Sequence, residues 1–175
     1  MLEVWAGEVW GGAGVRRRLT ASPAGGEHEG MRALVIHESL TGNTRTAARH
    51  IVDELVAEGW QASECSSREV DLPALQAADV LIVGSWVDGL FFFGQRPGGS
   101  GKLSKLPLLG NKPTYVYVTY ALDPGKTLAK LTALVEERHG DVVGGMTIKR
   151  NELLEGSVEF AHRVVDAARN DVIAS

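Results

Sequence analysis

Strands with the apolar character of a sheet interior alternate with amphipathic helices from residue 31 onward, and this alternation limits the possible folds more than any other feature. Residues 32–38 form an almost unbroken apolar run, which is typical of a strand covered on both faces. In residues 45–58, apolar side chains recur every three or four positions, as on one face of a helix. The same alternation continues almost to the end of the chain.

Five strands and five helices are predicted. The strands are expected at residues 32–38, 61–65, 80–84, 114–119 and 141–148. The helices are expected at residues 45–58, 73–77, near 102–106, 125–139 and 157–169. Strands joined by helical crossovers lie parallel, with helices on both faces of the sheet. We therefore expect an α/β fold, a three-layer α/β/α sandwich with a five-stranded parallel sheet.

Two strand orders suit this pattern, and 2-1-3-4-5 is the commoner. In that order a ligand binds beyond the carboxyl ends of strands 1 and 3, where the winding of the sheet reverses. Functional residues are therefore expected in the loops that follow the first, third and fourth predicted strands.

A polar loop follows the first predicted strand and leads directly into a helix. It contains three hydroxyls, an amide and a glycine: Ser39, Leu40, Thr41, Gly42, Asn43 and Thr44. The first N–H groups of a helix have no partner within it, and the helix dipole adds about half a positive charge at this end. We expect the loop to bind a phosphate dianion, with Gly42 letting the backbone approach closely. A simple helix cap would account for only one or two of these residues.

This loop resembles the signature (Ser/Thr)-x-Thr-Gly-x-Thr of short-chain flavodoxins, and the similarity in element order runs from residue 31 to about residue 169. The resemblance implies FMN as the cofactor. It also implies side-chain contacts to the phosphate from Ser39, Thr41, Asn43 and Thr44, and backbone contacts from Leu40 and Gly42. The loop is neither a Walker loop nor a Gly-x-Gly-x-x-Gly turn. A receiver domain shares the topology but needs an acidic cluster that Glu38 alone does not supply.

Two further loops would face the flavin ring in a protein of this family. The first contains Ser85, Trp86, Val87, Asp88 and Gly89. Trp86 is the candidate for stacking on the ring and Gly89 for a peptide that can flip beside N5, whereas Asp88 stands where an aromatic residue is more usual. The second loop contains Thr119, Tyr120, Ala121, Leu122 and Asp123. Tyr120 either stacks on the other ring face or packs under its own loop.

Three phenylalanines, Phe91 to Phe93, follow the first of these loops. They form either part of the core or an exposed docking patch. Together with the glycine-rich run at residues 98–101 they could also form a mobile rim above a flavin.

Composition and charge exclude several classes of function. The chain has 18 Lys and Arg against 22 Asp and Glu, a net charge of −4, which argues against nucleic-acid binding. Its single cysteine, Cys65, cannot form an intramolecular disulfide or a zinc site, so a cytoplasmic location is expected. The histidines suggest no metal or catalytic constellation. No apolar run approaches the roughly 20 residues that span a bilayer.

Residues 1–30 differ from the rest of the chain because glycines and prolines interrupt any regular period. We expect a tail or an upstream-start extension there, followed by a domain at residues 31–175. Two tryptophans in this segment, Trp5 and Trp10, favour packing of part of it.

These features predict an FMN-binding electron carrier that works between a reductase and an acceptor enzyme, as a monomer or weak homodimer. Its modest net charge departs from flavodoxins, which are typically more acidic. One alternative is an FMN-dependent reductase that uses NAD(P)H with a quinone or with FMN. Another is a flavin-free regulatory module with the same fold.

Overall fold

A computed structural model of the chain describes residues 30–89 and 94–173. The predictions for residues 1–29 and for Phe91 to Phe93 lie outside the described residues. The strands are β1 Arg32–His37, β2 Gln61–Ser66, β3 Val80–Asp88, β4 Arg96–Pro97, β5 Pro113–Tyr120 and β6 Asp141–Lys149. The helices are α1 Asn43–Ala57, α2 Leu72–Ala77, α3 Ser100–Leu103, α4 Thr127–Glu137 and α5 Leu153–Ile173.

Five of the strands form a parallel sheet in the order β2-β1-β3-β5-β6. Without the short strand β4 this is the order 2-1-3-4-5, so the predicted fold is confirmed. The two-residue strand β4 pairs antiparallel with the end of β3 and lies outside the main path. All five parallel strands end at one edge of the sheet, which brings the loops after β1, β3 and β5 close together.

Two apolar cores, one on each face of the sheet, produce the three layers. Val35 of β1 belongs to the core that includes α1 and α5, whereas its neighbour Ile36 belongs to the core that includes α2, α3 and α4. This alternation follows from the two-residue period of a strand, in which successive side chains point to opposite faces. Because both faces are covered, the central strands are apolar along most of their length.

Several predicted boundaries were wrong. The strand β3 continues to Asp88 instead of ending at residue 84, because Ser85 and Trp86 still pair with β5 and the next two residues pair with β4. The helix α3 begins at Ser100 and has only four residues. The helix α4 is shorter than predicted because Gly125 and His139, at the predicted ends, have φ of 50° and 61°. The helix α5 begins at Leu153, four residues early.

Among the residues that the structure describes, no helix is both long enough and apolar enough to cross a lipid bilayer.

Candidate functional site

The loop between β1 and α1 leaves the start of the helix open. Gly42 is the N-cap residue, with φ of 97°, and within the described residues no side chain caps the helix. The first turn of α1 also contains no acidic residue. The backbone N–H groups of this turn therefore have no side-chain acceptor, and the positive end of the helix dipole is not neutralised locally. This geometry does not match the simple helix cap considered as the alternative.

The rest of the loop presents polar groups around this helix start. Ser39 Oγ accepts a hydrogen bond from the Gly42 N–H at 3.1 Å, and Asn43 Nδ2 donates to Thr41 Oγ1 at 3.3 Å. The Leu40 side chain, by contrast, is 74% exposed. A Cβ atom added to Gly42 would meet no atom within 4 Å, so there is free space at the tip of the loop.

Thr44 differs from the other loop residues because it is buried. Its Oγ1 lies 3.0 Å from Oγ1 of Thr119, near the end of β5, and the Thr119 hydroxyl can in turn donate to the Ser85 carbonyl at 3.5 Å. Each hydroxyl has one hydrogen and can accept two more. With one hydrogen, Thr119 donates either to the Ser85 carbonyl or to Thr44 Oγ1, and in the second arrangement the Thr44 hydrogen is left for a ligand. The threonine pair thus connects the predicted phosphate loop, residues 39–44 at the junction of β1 and α1, to β5.

Tyr117, on β5, makes a hydrogen bond to the first turn of α1. Sequence reasoning did not identify this residue. Its hydroxyl donates to the Thr44 carbonyl at 2.8 Å, and its side chain is fully buried. Burial, and secondarily the charge of Glu64, raise the pKa of Tyr117 well above its usual value, so it stays a neutral donor. A Cβ atom on Gly84 would overlap the Tyr117 ring. In the sequence, the glycine directly after the apolar VLIV run of β3 is the feature that indicates a large side chain packed against this strand.

A buried carboxylate, directly after β1, is hydrogen-bonded to α3 and to the loop after β2 at the carboxyl edge of the sheet. Glu38 is only 1% exposed and accepts hydrogen bonds from Lys102 Nζ at 2.8 Å, from Arg68 at 3.4 Å and from the Ser67 hydroxyl. Lys102 lies on α3, and the other two donors lie in the loop after β2. Gly99 passes so close to Glu38 that a Cβ atom there would overlap the side chain. Sequence reasoning missed this arrangement, because its members are about 30 to 60 residues apart.

The end of β3 is hydrogen-bonded to residues 95–98, an arm of the chain that contains β4 and returns antiparallel along β3. Trp86 is half-buried and packs against Gly98, where a Cβ atom would overlap the indole. The Gly98 N–H donates to the Trp86 carbonyl at 2.7 Å, and the Ser85 hydroxyl donates to the Gly98 carbonyl at 2.8 Å. Val87 and Asp88 pair with β4, and Gly89 is exposed with φ of 108°. The glycine-rich run suggested as a rim is thus hydrogen-bonded to β3.

The second predicted ring-facing segment begins with the last two residues of β5, which ends one residue beyond its predicted end, and continues into an exposed loop. Thr119 and Tyr120 are buried, Ala121 is half-buried, and Leu122 is 76% exposed. Tyr120 is the last residue of β5 and is only 6% exposed. Asp123 is exposed, and its Oδ1 accepts the Gly125 N–H at 3.0 Å.

Comparison with known proteins decides the family. The sequence model of the flavodoxin domain matches residues 34–144, well over half of the chain, and this range includes the phosphate loop and most of the strands. The chain belongs to the flavodoxin domain family. No curated protein matches it at a significant level.

Solved flavodoxins share the fold of this flavodoxin domain. The two-electron-reduced flavodoxin of Megasphaera elsdenii is 17% identical, with a TM-score of 0.56 over 74% of this chain and 98% of its own. Oxidised flavodoxin 2 of Bacillus cereus is 21% identical, with a TM-score of 0.59 over 77% and 98% of the two chains. Oxidised flavodoxin 1 of the same organism is 20% identical, with a TM-score of 0.57 over 77% and 97%. At these identities the likeness shows the fold.

Membership of this family implies FMN as the cofactor, and the flavodoxin domain has groups that fit its phosphate. Among the described residues no side chain caps the start of α1, and a Cβ atom added to Gly42 would contact none of them within 4 Å. Hydroxyl and amide donors lie on both sides of this point, at Ser39, Thr41 and Asn43. A dianion at a helix N-terminus is stabilised by unpaired amides and by the dipole, without a cationic side chain.

The predicted ring-facing residues of the flavodoxin domain lie on adjacent strands. Trp86 is the register partner of Thr119, so the end of β3 and the loop after β5 leave the sheet side by side. The structure therefore brings these two predicted segments together at the carboxyl edge. Ser85 and Thr119 are buried and hydrogen-bonded within the protein, whereas Gly89, Leu122 and Asp123 are exposed.

One group of potential metal ligands lies away from this edge, at the C-terminal end of α1 and on α5. Ligand atoms of Glu54, Glu58 and His162 lie within 4.8 Å of one another. Each has an ion-pair partner: His162 Nε2 is 2.7 Å from Glu54, and Arg169 is 2.9 Å from Glu58. Sequence reasoning did not group these residues, because they come together only through the packing of the two helices.

Proposed function

We propose that this flavodoxin domain is a cytoplasmic, low-potential electron carrier that passes single electrons from a reductase to an acceptor protein. The open start of α1 at the switch point of the sheet carries this proposal. A phosphate site at this position places the rest of FMN along the carboxyl edge, toward the loops after β3 and β5. The exposed residues of those loops leave one side of the cofactor accessible to a protein partner.

The assigned residues have separate roles in this proposal. Phosphate contacts come from the loop residues Ser39, Leu40, Thr41, Gly42, Asn43 and Thr44. Ring contacts come from Ser85, Trp86, Val87, Asp88 and Gly89 on one side and from Thr119, Tyr120, Ala121, Leu122 and Asp123 on the other. The buried position of Tyr120 favours contact through its backbone over stacking of its ring. The domain acts as a monomer or weak homodimer.

Bound FMN supplies the redox chemistry, and the protein binds it, orients it and sets its electrostatic surroundings. The protein's first task is to hold the phosphate, which is done by amide and hydroxyl hydrogens. Its second task is to keep water from the inner ring face, for which the tightly bonded unit of Ser85, Trp86 and Gly98 is suited. The backbone at Gly89 offers an N–H or a carbonyl to the ring edge.

The phosphate site is tested by replacing two of its hydroxyls. Thr41→Ala with Thr44→Ala should weaken FMN binding by at least about 100-fold, since hydrogen bonds to a charged group contribute about 1.5–3 kcal/mol each. Riboflavin has no phosphate, so its affinity should change much less. Thr46→Ala removes an exposed hydroxyl of a residue whose N–H already donates to the Gly42 carbonyl, and it is the matched control. Both dissociation constants can be measured by quenching of flavin fluorescence, and an unchanged FMN affinity would remove the site.

The carrier role is tested by reductive titration of the purified, FMN-loaded protein. A carrier should take up electrons in two resolved one-electron steps, visible in the absorption spectrum. The alternative, an FMN-dependent reductase, should be reduced by NAD(P)H and should oxidise it steadily when a quinone is added. Steady turnover of that kind with no resolved one-electron step would contradict the carrier proposal.

A further inference from the structure

A glutamine connects the two segments that the proposed function assigns to the flavin ring. Gln95 lies just before β4, on the arm that returns along β3. Its Nε2 donates a hydrogen bond to the backbone carbonyl of Asp123, in the loop after β5, at 2.9 Å. Its own backbone carbonyl accepts a hydrogen bond from Lys130 Nζ on α4. Gln95 therefore ties the β3–β4 arm both to the loop after β5 and to α4.

The loop after β5 has a matching shape on its side of this contact. A Cβ atom on Gly125 would overlap the side-chain oxygen of Gln95, so glycine leaves the space that the glutamine fills. Gly125 has φ of 50°, which favours glycine, and its N–H is held by Asp123 Oδ1. The turn that makes room for Gln95 is thus the same turn that presents the Asp123 carbonyl to it.

The neighbouring polar contact on the arm does not reach across to β5. Arg96 and Asp88 form an ion pair at 3.3 Å, but both belong to the β3–β4 unit and both are well exposed. Exposed pairs of this kind contribute little to stability. Gln95, by contrast, joins the arm to the loop after β5 and to α4. Both hydrogen bonds have a backbone carbonyl as acceptor, that of Asp123 in one and that of Gln95 in the other.

We propose that Gln95, held by Lys130, sets the spacing between the end of β3 and the loop after β5 and thereby positions both segments on the flavin ring. This inference rests on the proposed function, because the two segments contact a ring only if the domain binds FMN. Gln95 acts through its neighbours, so it is a positioning residue. Both segments face the ring and not the phosphate. Loss of the contact should therefore weaken binding of a flavin whether or not it carries a phosphate.

The test compares FMN and riboflavin binding in two Gln95 variants. Gln95→Glu keeps the size of the side chain but removes the Nε2 donor, and Gln95→Ala removes the whole contact. Loss of one neutral hydrogen bond should weaken binding of both flavins by the same factor, about three- to ten-fold. The circular dichroism of the bound flavin should also change, since it reports the surroundings of the ring. Lys130→Met, which keeps the apolar part of the side chain, should change both affinities in the same direction.

Two controls separate this effect from others. Lys126→Ala changes an exposed lysine on the same connection and should leave both affinities unchanged. Thr41→Ala should weaken FMN binding while affecting riboflavin little. If wild type binds FMN and the Gln95 variants bind both flavins as tightly, the inference is overturned, whatever happens to the melting temperature of the apoprotein. A wild-type chain that binds neither flavin would overturn the proposed function together with it.

Discussion

The carboxylate of Glu38 is almost completely buried and yet remains ionised, because three donors surround it. Burial alone would raise its pKa, but the hydrogen bonds from Lys102, Ser67 and Arg68 outweigh burial and lower the pKa below its ordinary value. These donors belong to α3 and to the loop after β2. The charge of a single residue therefore holds two neighbouring segments against the end of β1, beside the phosphate loop.

This arrangement predicts a defined pH dependence of stability. Because the pKa of Glu38 is lower in the folded state than in the unfolded state, its contribution is fully present above the unfolded pKa and is lost as the pH falls through the folded value. Glu38→Gln should lower the free energy of unfolding by about 1.5–3 kcal/mol at pH 7, the range for hydrogen bonds to a charged group. The difference from wild type should shrink below about pH 4, near the ordinary carboxyl pKa.

Urea denaturation at pH 7 and at several acidic pH values measures this difference. Glu69→Gln, which changes an exposed carboxylate next to Arg68, is the control and should have little effect at any pH. A Glu38→Gln difference that is the same at pH 7 and at pH 3 would mean that the charge of Glu38 does not stabilise the fold.

At this scale the sequence predicted residues that act locally and missed those that act across the fold. Ser39, Thr41 and Gly42 were predicted to bind an anion because they lie together between a strand and a helix. Tyr117 and Gln95 could not be found in this way. Tyr117 reaches a carbonyl 73 residues away, and Gln95 reaches one 28 residues away. A single sequence does not indicate which distant residues meet.

At the scale of elements, β3 departs most from its prediction. Four residues that were expected to form a ring-facing loop instead extend the strand, because β5 pairs with the first two of them and β4 with the last two. The short strand β4 has only two residues, too few for any periodic pattern to appear. The lengths of the neighbouring strands thus determined the end of β3. The composition of residues 85–88, which is partly polar, did not predict that the strand continues to Asp88.

The close contact between Trp86 and Gly98 gives a test of this strand extension. Gly98→Ala places a Cβ atom into the indole ring and should destabilise the protein by about 1–3 kcal/mol, the usual cost of overpacking. Gly101→Ala is a matched control three residues along. No atom lies within 4 Å of its added Cβ, and it lies in the helix α3, where alanine is favoured over glycine by about 1 kcal/mol.

Thermal and denaturant unfolding of the two variants should therefore shift in opposite directions. The Trp86 fluorescence should also change in Gly98→Ala only. If Gly98→Ala is as stable as wild type, the indole does not pack on this glycine, and the arm is free to lie elsewhere.

At the scale of the whole molecule, the order of the sheet was predictable because it depends on few rules. Alternating strands and helices impose parallel strands and helices on both faces, and short right-handed crossovers leave few strand orders. The described members of both apolar cores lie between Met31 and Ala168. The carbonyl of Met31 already pairs with the Gln61 N–H at 2.9 Å. All described members of the two cores therefore lie within the predicted domain at residues 31–175.

The last prediction follows from this packing and concerns residues 1–30. A chain that begins at Met31 should unfold with a free energy within about 0.5 kcal/mol of the full-length protein, as for changes that touch no core contact, and should bind FMN with the same affinity. A chain that begins at Leu34 is the control, because it loses the first residues of β1 and should be strongly destabilised. A large loss of stability in the Met31 chain would mean that the preceding segment packs on the domain. Trp5→Ala and Trp10→Ala in the full chain would then identify which tryptophan makes that contact.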